Sequence, residues 1–234
     1  MKRKLSDRLA NSPLGTLSKW FTSMIEMLIL GYYKKYGQGQ LTVGGIRRFW
    51  RIEPAVLFSP NELWMLRELA RAQKSHGGAF AEVGVARGVS AEVMCQGKDR
   101  STRFHLFDTF TGLPTPGELD PRFEAGMFST PESVVRQRLS RYKNWFIYKG
   151  LFPQTADSVR HEKFSLVHLD VDLYQSTLEC LQFFWDRMLP GGIVISHDYS
   201  QCEGVYRAFR DFFADKLDAR LIELPTTQIM VIKS

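Results

Sequence analysis

The chain has 234 residues, 44% of them hydrophobic, which fits one α/β domain with a modest extension and a sizeable core. Its three cysteines, Cys95, Cys180 and Cys202, are far apart and form no C-x-x-C pair, which argues against a disulfide framework and a zinc site and favours a cytoplasmic protein. The net charge of +6 comes from residues 1–51, which carry +8, so the rest of the chain sums to −2 and nucleic acid is not expected as a partner.

Residues 1–58 are predicted to form a basic, helical N-terminal extension that precedes a main domain over residues 59–234. We interpret the basic lead as a solvated arm, although such charge also attracts membrane phosphates or an acidic partner. The apolar segment 24–33 is interrupted by Glu26 and is far shorter than the ~20 residues of a membrane span. It is predicted to be a short amphipathic helix that could lie on a membrane, cover a substrate site or pack on a second subunit of a homo-oligomer.

The main domain opens with a helix start signal. Ser59 suits the N-cap, Pro60 the first helical position, and Glu62 completes a capping box, so a helix is predicted over residues 59–74.

From residue 78 onward, short apolar runs alternate with helical patterns. The predicted strands cover residues 79–83, 104–107, 145–148, 166–169, 193–196, 221–224 and 229–232. The predicted helices cover residues 90–95, 131–142, 176–188 and 205–217. Strands separated by helices predict a parallel sheet, while a three-residue link before the last strand permits an antiparallel hairpin. The expected fold is a Rossmann-like α/β sheet of seven strands, mainly parallel, of the kind found in class I methyltransferases.

The loop after the first strand carries the pattern E-x-G-x-x-x-G-x-S at Glu82, Gly84, Gly88 and Ser90. Glycines there allow a tight turn and a close approach of the backbone to a ligand, and the next helix offers its free N–H groups. Dinucleotide folds carry G-x-G-x-x-G at this place, so a pyrophosphate is not the expected ligand. The loop instead suits a nucleoside with an amino-acid tail, such as S-adenosylmethionine (SAM), or it is an ordinary strand–helix turn.

Asp108 follows the second strand, 26 residues after Glu82. An acidic side chain at this tip can accept hydrogen bonds from ribose hydroxyls, and we therefore count Asp108 among the cofactor-binding residues. The alternative is that Asp108 caps the turn that follows it.

Two acidic clusters follow the fourth and fifth strands: Asp170 and Asp172 after one, His197 and Asp198 after the other. Open α/β sheets bind ligands at this edge, and on neighbouring strands Asp170 and Asp198 would converge. Carboxylate oxygens suit Mg²⁺, which would orient a hydroxyl and lower its pKa, while His197 or a carboxylate takes the proton. Two alternatives stay open: Asp172 could point away from the cleft, and His197 could hydrogen-bond the backbone.

Five sequence blocks occur in the order seen in one enzyme family: residues 82–90, 107–114, 149–155, 168–177 and 197–199. On these blocks the chain resembles the macrocin O-methyltransferase (TylF-type) family over about residues 59–234. The resemblance implies SAM contacts at Glu82, Gly84, Ser90 and Asp108. It also implies metal ligation by Asp170 and by the pair after strand five.

Here the chain departs from the family, which commonly has Asp-Asp-Tyr where this sequence has His197-Asp198-Tyr199. Histidine can still ligate a metal or act as a base, but it is a softer ligand for Mg²⁺. The departure leaves three possibilities: weaker Mg²⁺ binding, Mn²⁺, or no metal.

The predicted function is a SAM-dependent, Mg²⁺-assisted O-methyltransferase that acts on a hydroxyl of a sugar or other natural-product small molecule. The predicted catalytic residues are His197 and Asp170, and the predicted metal ligands are Asp170, Asp198 and His197. The acceptor pocket is expected to draw on residues 114–127 and the N-terminal segment. The alternatives are metal-independent methyl transfer with His197 as base, and a SAM-binding module without catalysis.

Overall fold

The structure, a computed structural model, describes residues 58–234. Apart from Phe58, the predicted extension over residues 1–58 lies outside the described residues, and so does the segment 24–33. Both stay predictions, as does the domain boundary between them and the main domain. None of the helices in the described part of the chain has the length and apolar character needed to cross a membrane.

The helices within residues 58–234 are α1 (Pro60–Gln73), α2 (Val89–Gly97), α3 (Glu132–Leu139), α4 (Tyr174–Phe184) and α5 (Glu203–Phe213). The strands are β1 (Ala79–Val83), β2 (Phe104–Asp108), β3 (Trp145–Lys149), β4 (Phe164–Leu169), β5 (Met188–Ser196), β6 (Ala219–Glu223) and β7 (Ile229–Lys233). Helix α1 begins with the predicted capping box, because the Glu62 amide donates to Ser59 Oγ (3.3 Å) and the Ser59 amide donates to the Glu62 carboxylate (2.7 Å).

The seven strands form one sheet in the order β3-β2-β1-β4-β5-β7-β6. Strands β1 to β5 pair in parallel, while β7 is antiparallel to both β5 and β6. The predicted mainly parallel sheet with a C-terminal antiparallel hairpin is therefore confirmed. Strands β4 and β5 are neighbours, so the two acidic clusters that follow them leave the sheet side by side.

Three predicted helices end earlier than expected; those predicted over residues 131–142 and 205–217 end at Leu139 and Phe213. The third error also misassigns the start of a strand. The helix expected over residues 176–188 ends at Phe184, a 3₁₀ turn over Trp185–Arg187 follows, and Met188 already belongs to β5. Met188 pairs with Phe164, and the register then shifts before Leu166 pairs with Ile193. The helical spacing of apolar residues runs on through this turn, so periodicity could not reveal that the chain had changed direction.

Helix α4 packs against the sheet through aromatic side chains. Phe184 is fully buried; its ring stacks on that of Phe152 at 5.3 Å and meets the ring of Phe164 edge-on at 5.0 Å. Phe107 meets Phe152 edge-on at 5.1 Å. These contacts fix α4, which begins just after Asp170 and Asp172. The core therefore holds one side of the candidate site in place.

His105 is a buried polar residue on β2, and it is 3% exposed. Its Nδ1 lies 3.0 Å from the hydroxyl of Tyr148, and its ring stacks on that of Phe146 at 5.6 Å. Burial, with the charge of Arg103 acting in the same direction, lowers the pKa of His105 to about 4. The folded state therefore holds this imidazole neutral.

This burial makes stability depend on pH. An unfolded chain protonates His105 near its ordinary pKa of about 6.5, so acid favours unfolding between that pH and the folded-state pKa of about 4. Compared with His105→Gln, the wild-type chain should lose about 2–3 kcal/mol more stability between about pH 7 and pH 4. Urea unfolding of both proteins across this range measures the difference, and parallel pH curves for the two would contradict it.

Candidate active site

The glycine loop between β1 and α2 lies directly against the end of β4. Gly84 has φ of +83°, and an ideal Cβ placed on it would lie 1.8 Å from the carbonyl oxygen of Asp170. The Gly84 amide donates to the carbonyl of Phe107 (2.9 Å), and the Asp170 amide donates to that of Val83 (2.9 Å). The predicted cofactor loop and the predicted metal ligand Asp170 are thus joined through the backbone, and glycine is required at position 84.

Asp108 holds the glycine loop from the neighbouring strand. Its Oδ2 accepts the amides of Val85 (2.7 Å) and Ala86 (2.8 Å), and its Oδ1 accepts the amide of Phe110 (2.6 Å). The capping role considered from the sequence is therefore present. A carboxylate has about four lone-pair sites, so the three amides leave Asp108 one acceptor position for a ligand. The predicted contact with a ribose hydroxyl stays a prediction.

Glu82 and His168 form a buried pair below the loop. They lie opposite each other on β1 and β4, both are 0% exposed, and His168 Nδ1 is 2.8 Å from Glu82 Oε1. Burial raises the pKa of Glu82, and hydrogen bonds from His168 and Ser90 work against that rise. Sequence reasoning missed His168. A signal was present, because a single imidazole in one buried strand and a single carboxylate in its neighbour predict a pair.

Helix α2 begins immediately after the loop, with Gly88 at its N-cap and the predicted cofactor residue Ser90, which is 2% exposed, in its first turn. A side chain of α3 holds this turn: the Arg138 guanidinium donates to the carbonyl of Arg87 (2.8 Å) and to the Glu92 carboxylate (3.2 Å). The four predicted cofactor residues of this loop therefore lie within one rigid strand–loop–helix unit.

The predicted metal ligands converge at the ends of β4 and β5. His197 Nδ1 lies 3.2 Å from Asp170 Oδ1 and 3.1 Å from Asp198 Oδ2. The side chain of His197 is 5% exposed, while those of Asp170 and Asp198 are 20% and 16% exposed. The cluster is therefore nearly enclosed but remains open on the carboxylate side.

Asp172 also belongs to this cluster, which contradicts the alternative that it points away from the cleft. One ligand atom each from Asp172, Asp198 and Cys202 lies within 4.8 Å of the others. Burial, and then the charges of Asp170 and Asp198, raise the pKa of Asp172 well above its usual value. Burial opposes ionisation of Asp198 too, but hydrogen bonding and charge from His197 hold the pKa of Asp198 below its usual value.

Asp172 and Asp198 both adopt left-handed backbone, with φ of +60° and +58°. Aspartate tolerates this conformation better than most residues, yet it still costs energy. Strain of this kind concentrates where a structure aims side chains at one point, and here both carboxylates are directed into the same cluster.

The three predicted ligands fit a divalent cation. Cis ligand atoms of an octahedral ion with bonds of about 2.1 Å are about 3 Å apart, close to the 3.1 and 3.2 Å that join His197 to the two carboxylates. Two carboxylates suit Mg²⁺ or Mn²⁺, whereas imidazole suits transition metals better. Within the described residues, the donor set therefore fits Mn²⁺ at least as well as Mg²⁺.

The segment predicted to line the acceptor pocket, residues 114–127, lies in the long connection between β2 and α3. We call residues 109–130 the acceptor loop. Arg122 reaches the cluster from this loop, because its guanidinium donates to Sγ of Cys202, and its charge helps to hold the pKa of Asp198 down. Sequence reasoning missed Arg122, which lies 80 residues from Cys202 in the chain.

Comparisons with known proteins identify relatives of this chain. The family model described as Macrocin-O-methyltransferase (TylF) matches residues 65–231. A curated relative from Streptomyces olivaceus, 8-demethyl-8-(2,3-dimethoxy-alpha-L-rhamnosyl)-tetracenomycin-C 4'-O-methyltransferase, is 30% identical over 53% of this chain and 53% of its own length. Mycinamicin III 3''-O-methyltransferase from Micromonospora griseorubida is 26% identical over 57% of this chain and 61% of its own length. The chain thus matches little more than half the length of these relatives.

A solved structure of the O-methyltransferase NovP superposes with a TM-score of 0.69 at 20% identity, covering 78% of this chain and 83% of that one. This likeness confirms the class I methyltransferase fold.

The contact between Gly84 and Asp170 can be tested by substitution. Gly84→Ala adds a Cβ at 1.8 Å from the Asp170 carbonyl, whereas Gly77→Ala meets nothing within 4 Å, although both positions have positive φ. Both variants incur backbone strain, but only Gly84→Ala forces β1 and β4 apart. We expect Gly84→Ala to be less stable than Gly77→Ala by at least about 2 kcal/mol. Equal unfolding free energies in urea would contradict the close approach.

Proposed function

We propose that this chain, which belongs to the macrocin-O-methyltransferase (TylF) family, is a SAM-dependent O-methyltransferase that acts on a hydroxyl of a sugar-bearing natural product. We further propose that Asp170, His197 and Asp198 hold a divalent cation during this reaction. The observation that carries the proposal is the convergence of these three side chains beside the glycine loop, at the edge where α/β sheets bind ligands. The two curated relatives are named for O-methylation of a rhamnosyl tetracenomycin and of mycinamicin III.

Bound SAM would supply a methyl group on its sulfonium sulfur; as the hydroxyl oxygen bonds to this methyl, the S–CH3 bond would break and S-adenosylhomocysteine would leave as a neutral thioether. The chain's contribution to this step is to position the two reactants. Glu82, Gly84, Gly88 and Ser90 would surround the amino-acid tail and nucleoside, and Asp108 would use its remaining acceptor position for a ribose hydroxyl. The acceptor loop would place the hydroxyl over the cluster.

An alcohol is a poor nucleophile until it loses its proton, so the cluster must help to remove that proton. A cation held by Asp170, His197 and Asp198 would supply Lewis-acid chemistry that lowers the pKa of the hydroxyl. The carboxylate of Asp170 lies within the cluster and would receive the proton. Neutral His197 is the other candidate, because the lone pair of a neutral imidazole accepts a proton wherever it does not bind a metal.

The position of His197 favours a second candidate function, metal-independent methyl transfer with this imidazole as base. Its Nδ1 lies between two carboxylates at 3.2 and 3.1 Å, an arrangement that orients the ring and stabilises it once protonated. In this alternative, His197 takes the hydroxyl proton directly, and the carboxylates act as its partners and hold no metal.

Removal of the carboxylates tests the metal assignment. We expect Asp170→Asn and Asp198→Asn to reduce turnover by at least about 100-fold, because each loses a charged metal ligand, while the affinity for SAM changes little. The wild-type enzyme should lose activity in EDTA and regain it with Mg²⁺ or Mn²⁺. Turnover is followed as labelled methyl transfer from SAM, and SAM affinity by calorimetry.

The matched control is Asp157→Asn. Its carboxylate is 75% exposed and pairs with Arg160 on the surface, so turnover should be unchanged. If EDTA and both cluster variants leave turnover intact, the metal assignment is wrong. Binding of SAM without any methyl transfer to candidate acceptors would favour the non-catalytic module.

Substitutions of His197 separate the two functions. His197→Asp gives the site the acidic pair common in the family, so a metal-assisted enzyme should retain turnover and shift its preference from Mn²⁺ towards Mg²⁺ by about tenfold. His197→Ala should weaken metal binding but be partly rescued at high metal concentration. If His197 is the base, both variants should be inactive at every metal concentration, and EDTA should have no effect on the wild type.

A further inference from the structure

The acceptor loop is closed on itself at its neck. The Leu113 amide donates to the carbonyl of Met127 (2.9 Å), and the Gly126 amide donates back to that of Leu113 (2.9 Å). Near one end, Thr109 Oγ1 donates to the carbonyl of Gly112 (2.7 Å). These bonds make residues 109–130 a compact loop whose two arms are held together. The position of its tip therefore depends on the contacts that the tip makes with the rest of the domain.

The tip of the loop is fixed by Asp120. This side chain is 3% exposed, and its two oxygens lie 3.2 and 3.1 Å from the amide nitrogen of Tyr174, the first residue of α4. Helix α4 has Leu173 at its N-cap position, and this side chain has no oxygen that could accept an amide. Asp120 therefore caps α4 from a segment 54 residues away in the chain, and its negative charge lies at the positive end of the helix dipole.

The same loop reaches the start of α5. Gly204 lies in the first turn of that helix, and a Cβ on it would lie 1.9 Å from Asp120 Oδ1, so the carboxylate occupies the space that the glycine leaves. Two residues further along the loop, the Arg122 guanidinium donates to Sγ of Cys202, the N-cap residue of α5. The loop thus contacts the N-termini of both helices.

Each of these helices follows one of the acidic segments. Asp170 and Asp172 lie between β4 and α4, whereas His197 and Asp198 lie between β5 and α5. Both segments are short, so any displacement of a helix N-terminus is transmitted to the carboxylates. A side chain wedged between the two N-termini therefore controls how far apart the acidic segments lie.

We propose that Asp120 is a positioning residue that couples the acceptor loop to the acidic cluster. It caps α4, fills the space at Gly204 of α5, and so sets the spacing of Asp170 and Asp198 while it holds the loop over them. The proposal rests on the proposed function for the identity of the site, but the contacts of Asp120 can be tested without turnover.

The test uses three variants and one control in the full chain. Asp120→Ala removes the cap, and Asp120→Asn keeps one acceptor oxygen without the charge. Gly204→Ala leaves Asp120 in the sequence but places a Cβ 1.9 Å from Asp120 Oδ1 and 2.8 Å from the amide nitrogen of Tyr174. The control is Asp211→Ala, which removes an acidic partner of the Tyr174 hydroxyl (3.0 Å) and leaves the Tyr174 amide as it is.

Three quantities are measured: hydrogen exchange by mass spectrometry, the affinity for Mn²⁺ alone and the affinity for SAM alone. In Asp120→Ala we expect exchange in residues 170–177 and 197–204 to quicken by about five- to thirtyfold, the factor that corresponds to the loss of a helix cap. Mn²⁺ affinity should fall by about tenfold, as for the loss of a residue that orients metal ligands. SAM affinity should change by less than about twofold, and Asp120→Asn should lie between Asp120→Ala and the wild type.

Gly204→Ala, read together with Asp120→Ala, separates crowding between α4 and α5 from a local gain in helix stability. Alanine favours a helix over glycine by about 1 kcal/mol, so a purely local effect would slow exchange in α5. Our proposal instead expects Gly204→Ala to quicken exchange in α4 and to weaken Mn²⁺ binding, as Asp120→Ala does, while Asp211→Ala behaves like the wild type. The proposal is overturned if exchange in α4 of Gly204→Ala is slower than in the wild type or unchanged. It is also overturned if the change in Asp120→Ala is confined to residues 109–130.

The two proposals fail separately. If the wild type binds no Mn²⁺, the proposed metal site is wrong, and the exchange pattern of the two acidic segments still decides whether Asp120 couples them to the loop. If the wild type binds Mn²⁺ and all variants bind it equally, the metal site stands and the positioning role is overturned.

Discussion

The contact between the backbone of Gly84 and the carbonyl of Asp170 is the constraint on which the rest of the site depends. With 1.8 Å between an ideal Cβ and this oxygen, the ends of β1 and β4 come closer than any side chain would allow. The glycine loop and the first acidic segment are therefore parts of one backbone junction. A ligand held by the loop lies next to the cluster because the two elements share this junction, and no flexible hinge separates them.

Below this junction, the buried interior of the domain contains polar side chains. Glu82 and His168 are both fully buried and contact each other across β1 and β4, while Ser90 supports Glu82 from α2. A buried ion or polar pair costs desolvation energy that its own attraction barely offsets, so a pair at this place contributes little to stability. Glu82 lies two residues before Gly84 and His168 two residues before Asp170, so the pair fixes the orientation of the two strand ends that make the junction.

Much of this arrangement could be predicted from the sequence because it depends on local signals. Three features could be predicted from neighbouring residues alone: the capping box of α1, the alternation of strands and helices, and the short link before β7. The convergence of Asp170 and Asp198 followed once their strands were taken as neighbours, which the sheet order confirms. The helix end at Phe184 could not be predicted, because apolar spacing continues through a change of direction.

The residues that escaped prediction act over long distances in the chain. Asp120 caps a helix 54 residues away, and Arg122 contacts Cys202 across 80 residues. Nothing near Asp120 in the sequence distinguishes it from a solvated loop carboxylate, and the only hint at its partner is a helix whose N-cap is Leu173, a residue unable to cap. Asp172 was harder still, since strand alternation says nothing of a side chain once the backbone turns left-handed after the strand ends.

Charge balance explains how the cluster accommodates His197 among three aspartates. Asp170, Asp172 and Asp198 lie close together in a nearly enclosed space, and three ionised carboxylates there would repel one another strongly. The structure reduces this repulsion in three ways: burial and the neighbouring carboxylates raise the pKa of Asp172 and so favour its uncharged form, Arg122 lies nearby, and an imidazole occupies the fourth position. A divalent cation would have to compete with these groups, since imidazole binds metal only through a lone pair that a proton also uses. Binding of the proposed cation at this cluster would therefore release protons, and its affinity would rise with pH.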